Sequence, residues 1–150
     1  MKRVLPLLVL AVAVGFVATA AFAAPTYVGV DKCKMCHKLQ YDSWVAIGKH
    51  NKALENAKAS KDPAFGPTCL GCHSTNKSET AMGVECEACH GAGSDYKALS
   101  IMKDKAKAIA AGLTVPTQAT CEGCHDGKEH HKKVDVKTAK VHEHKVPAAK

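Results

Sequence analysis

The sequence predicts a mainly α, loop-rich chain with little or no β-structure, whose interior is filled by something other than side chains. Three observations predict it. Apolar residues recur at helical spacing in two stretches, and no stretch sustains the alternation of a strand. Large side chains are scarce: beyond residue 23 there is one Phe (Phe65), one Trp (Trp44) and three Tyr (Tyr27, Tyr41, Tyr96). All eight cysteines fall into pairs of one spacing. A chain so poor in apolar bulk struggles to offset its ordering entropy by side-chain burial alone.

The chain opens on the basic Met1-Lys2-Arg3, runs through nearly unbroken apolar sequence from Val4 to Thr19, and reaches the small-x-small site Ala21-Phe22-Ala23. That order predicts a signal peptide over 1–23, cleaved after Ala23. An uncleaved membrane anchor is the alternative, but the run is short for a span and ends in small residues. The first cysteine is Cys33, so no lipid-bearing thiol stands at the cleavage site. Secretion across the inner membrane, to the periplasm or cell surface, is expected, with no stable membrane anchor. Residues 24–150 then form one domain.

The formal charge of +7 falls to +5 once Lys2 and Arg3 are removed. The lysines are scattered rather than gathered in a stripe with aromatics between them, so nucleic acid is not an expected partner.

The cysteine pairs are Cys33/Cys36, Cys69/Cys72, Cys86/Cys89 and Cys121/Cys124, and the residue after each is a histidine: His37, His73, His90 and His125. At the overall histidine frequency, four matches in four have a chance probability on the order of 10⁻⁵. Zinc ligation would explain the cysteines but not a histidine at every following position, and disulfides would explain neither the histidines nor the constant gap. Cys-x-x-Cys-His is the attachment motif of haem c. Two thiols add across the vinyl groups of one porphyrin, and the next imidazole reaches the iron. Four haem c groups are expected, and they would form the core.

The elements between the motifs follow from spacing. Leu39 to Ala59 reads as one helix, with Trp44, Ile47, His50, Leu54 and Ala57 on a common stripe. Lys61-Asp62-Pro63 through Pro67 ends it in a loop. Only twelve residues separate His73 from Cys86, so the second and third haems should be near neighbours. Ser94 or Asp95 could cap a helix from Tyr96 to Ala111, with Leu99, Met102, Ala106 and Ile109 or Ala110 inward and Gly112 as its stop. From Asp126 onward the chain is rich in Lys and His and reads as irregular, held by ligands.

Five histidines lie outside the motifs: His50, His130, His131, His142 and His144. Four second imidazoles would complete bis-histidine ligation, which lowers the reduction potential relative to Met/His irons. His50, on an apolar helix face, is the first candidate, the alternative being a hydrogen-bonded core histidine. One of His130 and His131 is a second candidate, against a solvated basic pair. At least one of His142 and His144 is a third, with His144 ahead. Met82 and Met102 are weaker candidates.

Tyr27-Val28-Gly29, Tyr41-x-x-Trp44 with His50, the run Gly83-Val84-Glu85-Cys86-Glu87-Ala88-Cys89-His90-Gly91-Ala92-Gly93-Ser94, and Asp135-Val136-Lys137-Thr138-Ala139 with His144 and Pro147 resemble the tetrahaem cytochrome c-554 family. The chain is also similar to small tetrahaem cytochromes that form extracellular filaments. The resemblance implies a helical fold with closely stacked haems and mostly bis-histidine irons. It implies that His50 serves a haem other than its neighbour's and His144 the fourth. Where family members often carry a ligating histidine after the Gly-x-Gly-Ser turn, this chain has Asp95-Tyr96.

The expected function is electron transfer through four covalently bound haems between periplasmic or cell-surface redox partner proteins, with self-association into haem chains or filaments as a further expectation. This makes the protein a carrier and not an enzyme. The alternative is a haem oxidoreductase acting on a small nitrogen or sulfur species at an open five-coordinate iron. No non-haem catalytic constellation is present in the sequence.

Overall fold

A computed structural model describes residues 23–144. The expected signal peptide, all but Ala23, lies outside them, as do Val146 and Pro147 of the tail.

Each attachment motif begins in a short helical segment. Helix α1 (Val30–Lys34) carries Cys33, and α2 (Lys38–Ile47) starts from His37, which stands at its N-cap. Helix α3 spans Ala53–Ala59. A 3-10 turn (Pro67–Cys69) leads into α4 (Leu70–His73), with Pro67 at the first position, where a missing N–H costs nothing. Helix α5 (Cys86–His90) holds the third motif. Helices α6 (Leu99–Met102) and α7 (Lys105–Ala110) follow, and α8 (Gln118–Glu122) begins the fourth motif. Among the described residues the sole β-pairing is an isolated bridge between Lys61 and Ala64. The mainly α, loop-rich class follows.

Two of the expected helices are broken, each for a local reason. The stretch Leu39–Ala59 divides at Gly48, which adopts a left-handed φ of +71° and donates its N–H to Trp44 O at 3.2 Å. His50 therefore lies in the bend between α2 and α3, not on a continuous apolar stripe. The stretch Tyr96–Ala111 divides at Asp104, whose carboxylate accepts the N–H groups of Ala106 and Lys107 at 3.0 and 3.1 Å and caps α7 anew. Neither Ser94 nor Asp95 caps a helix. Ala108 is the inward residue of α7, while Leu99 and Ile109 are exposed.

The buried apolar set is small: Val30, Trp44, Leu54, Ala57, Leu70, Tyr96 and Ala108. Trp44 donates its indole N–H to Val84 O at 3.1 Å, tying α2 to the segment before the third motif. Residues 26–30 strap across that motif. Thr26 and Ser94 exchange hydrogen bonds (Thr26 N–H to Ser94 Oγ at 2.9 Å, Ser94 N–H to Thr26 O at 3.1 Å), and the N–H groups of Val28, Gly29 and Val30 reach Glu87 and Glu85. No helix among the described residues is long and apolar enough to cross a membrane.

Candidate functional site

The motif sulfurs meet in pairs that the chain order does not suggest. Cys124 Sγ lies 4.0 Å from Gly71 O, and Cys72 Sγ lies 4.0 Å from Gly123 O, a reciprocal contact between the second and fourth motifs. Cys33 of the first motif faces Cys86 of the third; their contact raises the Cys33 thiol and lowers that of Cys86. Burial, then the Cys72 thiol, push the Cys124 thiol up to about 12. All eight cysteines are free of disulfides. The short linker does keep the second and third motifs together, because Thr75 N–H bonds Gly83 O at 2.9 Å and Glu85 N–H bonds Thr75 Oγ1 at 2.8 Å. The sulfur contacts, however, join first to third and second to fourth.

The attachment thiols differ in exposure, and Cys36 stands apart. It is exposed, while the other seven cysteines, Cys33, Cys69, Cys72, Cys86, Cys89, Cys121 and Cys124, are partly buried. The reason is its place in the chain. Helix α1 ends at Lys34, and Cys36 falls in the turn that leads to α2, beside the exposed Met35 and His37. Cys33, one turn earlier on α1, is the thiol that packs inward against Cys86. The first motif therefore has one thiol turned inward and one in the exposed turn before α2.

Three motif histidines direct Nδ1 at a backbone carbonyl: His73 at Ala53 O (3.2 Å), His90 at Thr114 O (3.1 Å) and His125 at Lys132 O (2.9 Å). A carbonyl can only accept, so Nδ1 carries the proton and Nε2 is left with its lone pair. That is the tautomer a metal ligand needs, oriented by the hydrogen bond that metal-bound histidines usually make.

Each of these three rings faces an imidazole from outside the motifs. His50 stands 6.1 Å from His125, His130 stands 6.0 Å from His73, and His142 stands 6.2 Å from His90, measured between ring centres. Two metal–nitrogen bonds of ~2 Å, with about 1 Å more from each nitrogen to its ring centre, put imidazoles on opposite sides of one iron roughly 6 Å apart. All three pairs fit haem iron in ring spacing, and the three motif histidines fit it in tautomer. Burial, then the neighbouring His125, hold His50 below the ordinary histidine range; burial likewise lowers His90. Neutral imidazoles are the coordinating form.

The remaining histidines divide. The His144 ring is exposed and lies 3.9 Å from that of His142, on the side of His90; the resemblance implied the fourth haem for it. The fourth motif's His125 faces His50 instead, because the bend after Gly48 turns His50 away from the helix surface. His131 bonds Asp126 Oδ1 through Nδ1 at 3.0 Å, and its ring meets that of the exposed His130 edge-on at 4.5 Å. Possible ligand atoms of Glu129, His130 and His131 lie within 4.8 Å of one another. His37 has no imidazole in ring contact among the described residues, although it lies close enough to His90 to lower it slightly. The Tyr96 hydroxyl donates to Gly91 O at 2.7 Å, so the residue standing in the family's histidine position is held in a structural bond. Met82 is exposed and Met102 half-buried.

The roles of three residues escape sequence reasoning. Glu87, inside the third motif, is 2% exposed, and Glu85 just before it is also buried. Both stand in the run that carries the resemblance, yet nothing in the sequence signalled their burial. Ser43, which holds the tail through Glu143 N–H at 2.7 Å, carried no signal.

A family model described as cytochrome c554 and c-prime matches residues 32–91. Over residues 32–91, two fifths of its length, the chain is similar to the cytochrome c-554 family. The match takes in the first three attachment motifs and His50 and ends at Gly91, before the fourth motif and the histidine-rich tail. That similarity supports a haem-based electron-transfer role and covalently bound haem c. No curated protein and no solved structure matches the chain.

Proposed function

We propose that the protein carries electrons through four covalently attached c-type haems, at least three of them ligated by two histidines, between redox partner proteins in the periplasm or at the cell surface. The observation that supports this most is the set of three imidazole pairs 6.0–6.2 Å apart, each matching one motif histidine with one outside the motifs. On this reading Cys33/Cys36, Cys69/Cys72, Cys86/Cys89 and Cys121/Cys124 hold the porphyrins. His37, His73, His90 and His125 are the proximal ligands, and His142, His130 and His50 serve opposite His90, His73 and His125.

The haem supplies reversible one-electron chemistry at an iron whose potential its two imidazoles depress. The chain's own residues do the rest. Carbonyls of Ala53, Thr114 and Lys132 take the Nδ1 protons, which fixes each ring and makes its Nε2 a stronger donor. Contacts between first and third motifs, and between second and fourth, bring the attachment sites into neighbouring pairs, so an electron need not cross a long stretch of protein. Self-association into longer haem chains would extend the same arrangement.

A second reading has one specific observation in its favour. Among the described residues, His37 is the motif histidine that faces no imidazole, which favours an open iron there, able to take a small nitrogen or sulfur species. Low-temperature EPR of the oxidised protein separates the two. Carrier function requires low-spin signals from the three paired irons, and a high-spin, carbon monoxide-binding fourth supports the open site. Fewer than three low-spin irons would overturn the ligand assignment.

A further inference from the structure

The tail brings two imidazoles to the side of His90. The His142 ring is 6.2 Å from His90, and the His144 ring is 3.9 Å from His142. Between them in the chain is Glu143, whose N–H is donated to Ser43 Oγ at 2.7 Å. The Ser43 hydroxyl proton goes to Gln40 O at 2.9 Å, one turn back in α2, so the oxygen presents a lone pair to the tail. Helix α2 is itself anchored one residue on, where buried Trp44 bonds Val84 O. Ser43, Ala46 and Ile47 wall one side of a cleft, and Lys140, His142 and Glu143 wall the other. The Ser43 bond thus pins the peptide lying midway between two candidate ligands. His142 donates Nδ1–H to Glu143 O at 3.0 Å, leaving its Nε2 lone pair available.

We propose that the tail carries a primary and a reserve distal ligand for the third haem, His142 and His144, and that Ser43 is the positioning residue that selects His142. The inference rests on the haem-ligation reading above. Only one imidazole can occupy the position opposite His90, and the second is tethered two residues away. Its effective concentration is therefore high, and intramolecular replacement is favoured over leaving the iron open. The required movement is on the scale of the 3.9 Å between the two ring centres. Breaking the Ser43–Glu143 bond permits it.

The test is EPR of the oxidised holoprotein in His142→Ala, His144→Ala, His142→Ala/His144→Ala, Ser43→Ala and Ser43→Thr variants. His142→Ala should keep the wild-type number of low-spin irons with one signal at shifted g-values, and the double variant should convert one iron to high-spin. Ser43→Ala should show two low-spin populations for that iron where the wild type shows one, and Ser43→Thr should restore one. A low-spin iron lost equally in His142→Ala and in the double variant would overturn the reserve role. Loss in His144→Ala alone would reverse the order of the ligands, and a Ser43→Ala spectrum identical to wild type would remove Ser43 from the account. A double variant that loses no low-spin iron would overturn the ligation of this haem by the tail altogether, which separates failure of the underlying reading from failure of the inference.

Discussion

Glu87 and Gly93 are locked together: the carboxylate accepts the Gly93 N–H at 2.7 Å, and a Cβ added at Gly93 would stand 2.9 Å from Glu87 Oε1 and 3.0 Å from Val28 Cγ2. The same carboxylate accepts the N–H groups of Val28 (2.9 and 3.0 Å) and Gly29 (2.8 Å). One buried side chain within the third attachment motif therefore joins the segment ahead of the first motif to the turn that follows His90. Glu87→Ala should strand three backbone donors at about 1–3 kcal/mol each. The haem-loaded variant should melt well below wild type, with Gly93→Ala lower by a smaller margin from overpacking, about 1–3 kcal/mol. Thermal denaturation followed at the haem absorbance measures both, and an unchanged midpoint in Glu87→Ala would contradict the clamp.

His50→Ala should convert one low-spin iron to high-spin and raise that haem's potential, since His125 loses the imidazole that faces it 6.1 Å away. Gly83→Ala should reproduce part of this effect from a distance. Gly83 has φ +139°, and a Cβ there would collide with the His50 carbonyl oxygen and approach Asn51 O to 2.9 Å, while Val84 N–H holds His50 O at 2.9 Å. Any relief must move the His50 backbone. EPR and a redox titration of both variants check this, and a Gly83→Ala spectrum matching wild type would show that the His50 ring tolerates the shift.

Truncation after Gly127 removes His130 and His142 together, along with the Lys132 carbonyl that orients His125. Two irons should become high-spin and bind carbon monoxide, while the iron between His125 and His50 keeps both ligands. Counting carbon monoxide bound per chain tests it. A truncated protein with all its low-spin signals would mean the tail is a solvated appendage.

Removal of haem should abolish the fold. The apolar residues buried among the described positions number seven, two of them alanine, which is too little to offset the ordering entropy of the chain. Protein expressed without haem-attachment machinery should show no cooperative thermal transition by circular dichroism. Correctly loaded protein should have, under denaturing conditions, the intact mass of residues 24–150 plus four haems; a mass short of four would sink the count.

The sequence by itself determined the fold class and pointed to covalent haem attachment. Cys-x-x-Cys-His is a local code, since two thiols and an imidazole must reach one porphyrin from a single helical turn. The missing apolar bulk and missing strand alternation are likewise properties of composition and spacing. Tertiary structure decided how deep each motif sits, leaving Cys36 at the surface while Cys33 packs against Cys86. It also decided which distant imidazole faces which motif: His50 with His125, His130 with His73 and His142 with His90. Those pairs are contacts between separate segments, set by where the chain bends. One bend depends on the left-handed backbone at Gly48, which turned a single predicted stripe into two helices with His50 between them. Another depends on Ser43 Oγ holding the Glu143 N–H, a bond between two ordinary polar groups that only the folded chain brings within reach. Periodicity describes one element at a time, and a pairing of ligands is a property of two.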